Sequence, residues 1–406
     1  MENALQESLY YLTRYPSCTR GVALMKKIGI IGGGIIGTCI AYYISKNENA
    51  KVTVFEKNQI GSGTTAKSAG TFCLLDDSLP FEFFQQRVNC LNIYKKMNED
   101  TNGESEFNKS GTLVVSPSKE ELNRAKKHVE QAVEHGFNAE YIDEPTELVK
   151  YLPDLNPEGV LGGAWTPDDG YNNPTAASLI YARWSRQNGA TFITHAKVNK
   201  IHTGNKNRIG LETSKGNFDF DVVILAAGPW SNEVGKMMGM ELPLVHTKAE
   251  VFILQTKEPL SYNFPILKYP NWYVRSEGRA IFLCKSHMAM DFNKPIETGV
   301  WNPDDLPLSG GTEEYFFDFI TQKLSESIPR LLDAELVNDW LGYRSVTRDK
   351  LPLVGESGVE GVLLATGMSG NGVILAPDTG KILSNYIMNN TWDPLLNKFN
   401  PKRFKF

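Results

Sequence analysis

Two hydrophobic regimes alternate along the chain. Short, nearly continuous apolar runs occur at Lys27 to Ile31 (KIGII), Lys51 to Phe55 (KVTVF), Val222 to Leu225 (VVIL) and Val362 to Ala365 (VLLA). They read as strands buried on both faces, and Thr191 to Thr194 reads as a further strand. Longer stretches read as helices: Thr38 to Lys46, Pro174 to Gln187, and Val373 to about Met388 with Pro377 near its first turn. Buried strands linked by helices predict an α/β unit with a largely parallel sheet.

A second set of apolar runs has no such helices between its members. GTLVV (111–115), AEVFIL (249–254), WYVR (272–275) and AIFLC (280–284) predict a mixed sheet, which makes the whole chain α+β. Two acid- and lysine-rich helices, near 119–135 and 312–327, read as solvated faces. With 406 residues the chain exceeds what one core comfortably holds, so two interleaved domains are expected. The first takes 25–85, 160–240 and 335–395; the second takes 86–159 and 241–334. Residues 1–24 are then an N-terminal extension and 396–406 a C-terminal tail.

Charge and composition narrow the partners. The formal net charge of −5 offers no basic excess for nucleic acid. No apolar run approaches the roughly 20 residues of a membrane span. The first 24 residues carry Glu2 and Glu7 and lack a long apolar stretch, unlike a secretory leader. The five cysteines, Cys18, Cys39, Cys73, Cys90 and Cys284, are scattered without a CxxC pair. A reducing, cytoplasmic setting is expected. The six histidines (His128, His135, His195, His202, His246 and His287) show no metal-ligand spacing, so no metal is expected.

The first apolar strand runs straight into GIIGGGIIG (29–37), with glycines spaced Gly32-x-Gly34-x-x-Gly37. Gly32 permits a tight turn, Gly34 lets backbone approach a pyrophosphate, and Gly37 lets the helix pack on the strands. The helix start presents free N–H groups and a partial positive charge to phosphate. Glu56 ends the second strand, 19 residues after Gly37, where a carboxylate bonds ribose hydroxyls and repels a 2′-phosphate. Strand, glycine turn, helix, strand and acid together predict a dinucleotide site. They do not by themselves separate NAD from FAD.

Three further stretches bear on that choice. GSGTTAKSAGTF (61–72) is a small, polar loop suited to passing close to a large flat ligand. FDFDVVILAAGPWSNEVG (218–235) holds a strand and the turn AAGPW. GVLLATGMSGNGVILAPDTGKILSNYI (361–387) holds a second glycine-rich strand-to-helix turn. With TPDDGYNNP (166–174) and RDKLPLVGE (348–356), these segments and the first motif resemble the D-amino-acid oxidase family of FAD enzymes. Within it they look most like the sarcosine oxidase, glycine oxidase, dimethylglycine dehydrogenase and dye-linked L-proline dehydrogenase group. The resemblance runs from Met25 to about Asn390. No second GxGxxG follows a strand, so no separate NAD(P)H domain is expected.

The resemblance implies a Rossmann-type FAD-binding domain with an interleaved mixed-sheet substrate domain. The expected cofactor contacts are Gly32, Gly34, Ile35, Ile36 and Gly37, then Glu56 and Lys57. They continue with Thr64, Thr65, Lys67, Ser68, Ala69 and Gly70, then Val198, then Ala227, Gly228 and Trp230. Arg344 follows, and Gly367, Gly370, Asn371, Gly372 and Val373 complete the set. The implied reaction moves a hydride from the carbon beside an amine nitrogen to flavin N5, leaving an imine. The amine lone pair drives it, so positioning matters more than a strong base.

Three residues carry catalytic expectations under the resemblance. Arg344, in WLGYRSVTRDK, sits where glycine oxidase-type relatives bind the substrate carboxylate; a structural salt bridge is the alternative. Tyr273 matches a pocket-lining tyrosine, or is a half-buried strand residue. Lys67 stands where some dimethylglycine-type relatives carry a flavin-linking histidine, and Gly342 to Asp349 contains no cysteine. Noncovalent FAD is therefore expected. Arg348 falls where the family usually has proline. The substrate is a small amino acid, and an electron-acceptor protein or partner subunit is a possible further partner. Two other functions stay open. One is a 2-hydroxyacid dehydrogenase using His246 or His287 as base; the other is a non-catalytic flavoprotein subunit.

Overall fold

The computed structural model describes residues 25–76, 78–205, 208–286, 310–312 and 314–404. The extension 1–24, Cys18 and His287 lie outside them.

The dinucleotide-type sheet has six strands in the order Leu353–Glu356, Val362–Thr366, Val222–Leu225, Lys26–Ile31, Ala50–Phe55 and Thr191–Ile193. All neighbours are parallel except the edge strand 353–356. The central strand pairs Ile31 with both Phe55 and Leu225, so the glycine turn leaves from the sheet's middle. Its side chains split between two faces. Ile28 and Ile30 join the helices Ile35–Ser45 and Gly372–Asn389 in one core, while Ile31, Phe55 and Leu225 meet a three-stranded antiparallel sheet in another. That small sheet (Val198–Asn205, Arg208–Thr213, Gly216–Phe220) brings Ile201, Leu211 and Phe220 to the second core.

The first helix begins at Ile35, three residues before the expected start, because Gly34 in extended conformation is its N-cap. The helix Pro174–Gln187 matches its expected span, with the Asn173 side chain accepting from the N–H groups of Thr175 and Ala176. The helix Lys119–Glu134 is amphipathic rather than merely solvated: Ala125, Val129 and Ala132 are buried against the dinucleotide-side core.

The second sheet has eight strands, ordered Glu335–Val346, Val245–Gln255, Ile281–Ser286, Trp272–Ser276, Ile266–Lys268, Thr112–Val115, Gly163–Thr166 and Glu140–Ile142. It is mixed, since 266–268 runs parallel to 112–115. Two of its strands, 163–166 and 335–346, come from segments expected in the cofactor domain. Strand 335–346 pairs along its length with 245–255. The chain therefore crosses between the layers at both points, and this carries Gly342 and Arg344 onto the sheet that faces the dinucleotide layer.

Candidate functional site

A cleft enclosing about 1540 Å³ of empty space, open mouth included, runs between the two layers. Its lining starts at the glycine turn. Gly32, at φ +113, has room only for hydrogen, because a Cβ there would sit 2.3 Å from the Ala226 carbonyl. A Cβ on Gly37 would sit 1.9 Å from the Gly32 carbonyl. These contacts press the helix start onto the sheet. The N-cap of helix Ile35–Ser45 is Gly34, which has no side chain to cap the first turn, and this leaves first-turn N–H groups to a ligand. Thr65 Oγ1 takes one of them, Ile35 N–H, at 3.1 Å.

Glu56 lines the cleft beside this turn. Its carboxylate accepts the N–H groups of Gly33 and Asn58, each at 2.8 Å, which fixes it at the strand end. Lys57 and Trp230 line the same end, with the ammonium 3.9 Å from the indole ring centroid. Val198, Ala227 and Gly228 continue the wall.

The far end is built on the second glycine turn. Gly367, Gly370, Gly372 and Val373 line the cleft, and helix Gly372–Asn389 also starts without a side-chain cap. Two uncapped helix starts thus face one cavity. Arg344 reaches this end from strand 335–346, its Cδ 3.4 Å from where a Gly370 Cβ would stand. The loop bearing Thr64, Thr65, Lys67 and Ser68 also lines the cleft and lies over strand 335–346. There Trp340 Nε1 donates to the Lys67 carbonyl at 3.2 Å. Partial burial lowers the Lys67 pKa.

Five expected residues fall outside the lining. Gly37 acts through helix–strand contact. Ala69 is buried in a small cluster with Tyr171 and Tyr273. Gly70 turns at φ +64 with its α-carbon against the Asn172 carbonyl, where a Cβ would be 2.2 Å away. The Asn371 side chain is engaged with Ser78. Tyr273 is 2% exposed, its hydroxyl 3.5 Å from Thr71 Oγ1, and burial pushes its pKa up to about 12. His246 is likewise off the lining; its Nδ1 is 3.4 Å from Ser345 Oγ, and burial pulls its pKa down to about 4.

Lys285 and Gly342 stand out among the cleft residues that were not anticipated. Lys285, from strand 281–286, lines the cleft at 7% exposure, and Gly342 lies beside Ala249 on the shelf between Lys285 and Arg344. The motif AIFLCKS marks a strand but gives no sign that its lysine points inward. The cross-strand partners supply that information.

The largely parallel sheet, the two bare helix starts and the carboxylate at the second strand end define a dinucleotide-type site whose cleft is walled on its other side by a second sheet. Residues 27–386 match the family described as FAD dependent oxidoreductase (DAO), and the chain belongs to that family. Its cofactor is FAD, and the groups lining the cleft fit it: N–H donors for phosphates, a carboxylate for ribose and a cationic end for the flavin. Human mitochondrial dimethylglycine dehydrogenase is 27% identical over 386 residues, covering 92% of this chain and 44% of that protein. The chain thus spans less than half the length of that relative. Glycine oxidase of Geobacillus kaustophilus (strain HTA426) is 24% identical over 370 residues, covering 89% of this chain and 92% of its own. The structure of L-proline dehydrogenase from P. horikoshii shares the fold, with a TM-score of 0.81, 24% identity and coverage of 94% and 98%. Among the described residues no helix is long and apolar enough to cross a membrane.

Proposed function

We propose that the protein oxidises the C–N bond of a carboxylate-bearing amine, an amino acid or N-alkyl amino acid of the glycine, sarcosine or proline kind, to the imine. The observation that carries this reading is Arg344. It is 8% exposed, it lines the cleft, and no described carboxylate pairs with it. A buried guanidinium without a protein anion is costly, and a planar carboxylate ligand relieves the cost through a two-pronged hydrogen bond. Bound FAD supplies the two-electron acceptor.

The chain's own part is positional. Arg344 fixes the carboxylate, and the amine is thereby held at a set distance from it. Tyr343, Met368 and Ala249 line the cleft beside it. A neutral amine lone pair assists C–H cleavage, so no base is demanded of the protein. The 2-hydroxyacid alternative does demand one, and no histidine lines the cleft among the described residues. His246 stays outside it.

Several finer readings accompany this one. FAD is held noncovalently, since neither cysteine nor histidine lines the cleft among the described residues. The cysteines Cys39, Cys73, Cys90 and Cys284 are free and buried, in keeping with a cytoplasmic setting. An electron-acceptor protein or partner subunit that reoxidises the flavin belongs to the same reading.

The test is an anaerobic absorbance titration of the flavin-loaded protein with sarcosine, glycine, L-proline, D-alanine and lactate. Bleaching by an amino acid supports the reading. Bleaching by lactate alone overturns it. Repeating the titration in air separates an oxidase from a dehydrogenase.

A further inference from the structure

The inner face of the eight-stranded sheet carries a second buried cation toward the cleft. Directly paired residues on neighbouring strands share a face, and steps of two along a strand keep it. On the strand Val245–Gln255, Thr247, Ala249 and Val251 are such steps. Thr247 pairs with Arg344, Ala249 with Gly342, and Val251 with Lys285. Lys285 and Arg344 therefore project from one face, on opposite sides of the middle strand. The positions between them, Ala249 and Gly342, are nearly without side chain, and both line the cleft. The result is a low shelf with a cation at each end.

Neither cation is balanced from within. Lys285 is 7% exposed and Arg344 8%, and neither side chain has a hydrogen bond or ion pair with a described residue. The charged groups acting on Lys285 are themselves cations: Arg344, Arg275 and Lys268. Arg275 is already engaged with Glu277 and the Ala69 carbonyl. Burial and these neighbours hold the Lys285 pKa well below its ordinary value. An anion arriving between the two heads would restore the full charge.

We propose that Lys285 is a second anion-binding residue and that the preferred substrate is a dicarboxylic amine, with one carboxylate on Arg344 and the other on Lys285. This rests on Arg344 as the carboxylate grip and extends that reading to the substrate's other end. Over Gly342 the Lys67 loop closes in, with the Lys67 Cβ 3.0 Å from where a Gly342 Cβ would stand, so the carbon–nitrogen chain linking the two carboxylates would pass over Ala249, which lines the cleft. A monocarboxylic amine leaves Lys285 without a counter-charge and binds more weakly.

The experiment uses non-reacting ligands, so it does not depend on turnover. Glutarate and butyrate are titrated into the flavin-loaded protein, and binding is read from the flavin absorbance change. The wild type is expected to bind glutarate roughly 10–200-fold more tightly than butyrate, the range of one charge-assisted hydrogen bond. In Lys285→Met that ratio falls toward one, and in Lys285→Arg it is largely retained. A wild-type ratio near one overturns the proposal. So does a Lys285→Met variant that weakens both ligands equally, which is the behaviour of a lysine serving the flavin alone. A failure of the Arg344 reading looks different: Arg344→Met then leaves butyrate binding unchanged. Reduction by N-methyl-aspartate compared with sarcosine carries the same ratio to the amine substrates.

Discussion

The Tyr94 hydroxyl donates a 2.6 Å hydrogen bond to the backbone carbonyl of Val373, inside the protein. Val373 is the residue whose carbonyl loses its helical partner because Pro377, four residues on, has no N–H. A tyrosine from helix Phe84–Asp100 thus completes the first turns of the helix that ends the cleft. Removing the hydroxyl strands a buried acceptor, and Tyr94→Phe is expected to cost about 1–3 kcal/mol in chemical denaturation. In a Pro377→Ala background the restored N–H serves Val373, and the same change costs markedly less. A double-mutant cycle with no coupling between the two positions would break this account.

Glycine substitutions separate packing from cofactor contact. Gly37→Ala forces a methyl into the Gly32 carbonyl, so it is expected to give little folded protein. At Gly34 a Cβ meets only Thr65 Oγ1, at 3.1 Å, yet it fills the approach to the helix start. Gly34→Val is expected to fold and to purify with little flavin, checked by circular dichroism together with flavin absorbance. Normal flavin content in that variant contradicts the phosphate-loop assignment.

Arg344 offers a contrast between ligand binding and stability. It has no carboxylate to lose within the described protein, so Arg344→Met should leave the flavin-loaded protein's unfolding midpoint unchanged or raised. The apparent dissociation constant for the amino-acid substrate should rise roughly 10–200-fold, the range of hydrogen bonds to a charged group. A structural salt-bridge arginine predicts the reverse pattern, with stability lost and affinity kept.

Asp169 gives a stability effect with a defined sign. Burial pushes its carboxyl up to about 7 from 3.8, although it accepts hydrogen bonds from the Thr166 hydroxyl (2.6 Å) and Leu74 N–H (3.1 Å). Between these values the folded state holds a proton that the unfolded state releases. The group's contribution therefore falls as pH rises from about 4 to about 7 and is constant above. Relative to Asp169→Asn, the wild type should lose stability across that window, read as melting temperature at each pH. A difference that stays flat from pH 4 to 7 contradicts the raised pKa.

The parts of the fold legible in the sequence are those written locally. Strand, glycine turn, helix, strand and Glu56 fall within some thirty residues, and burial on both faces leaves continuous apolar runs. The Pro377 helix and the Asn173-capped helix were legible for the same reason. Strand 335–346 was not, because Leu336 and Val337 are exposed at its outer end and the alternation is lost. Lys285 and Tyr273 show the limit most clearly. They pair directly across neighbouring strands, yet the lysine lines the cleft and the tyrosine is enclosed beneath Thr71. Both placements are set by pairing over long sequence distances, which a single strand motif cannot encode. The cofactor loop divides similarly: Thr64, Thr65, Lys67 and Ser68 line the cleft, while Ala69 and Gly70 turn inward against Tyr171 and Asn172.

The central claim is that Arg344 holds a carboxylate beside the C–N bond that is oxidised. The most direct measurement is an anaerobic titration of the flavin-loaded protein with an amino-acid substrate and with its methyl ester, which keeps the amine and removes the anion. The acid should bleach the flavin at concentrations roughly 10–200-fold lower than the ester, and Arg344→Met should erase that difference. Equal bleaching by acid and ester in the wild type, or no bleaching by any amine, would contradict the account.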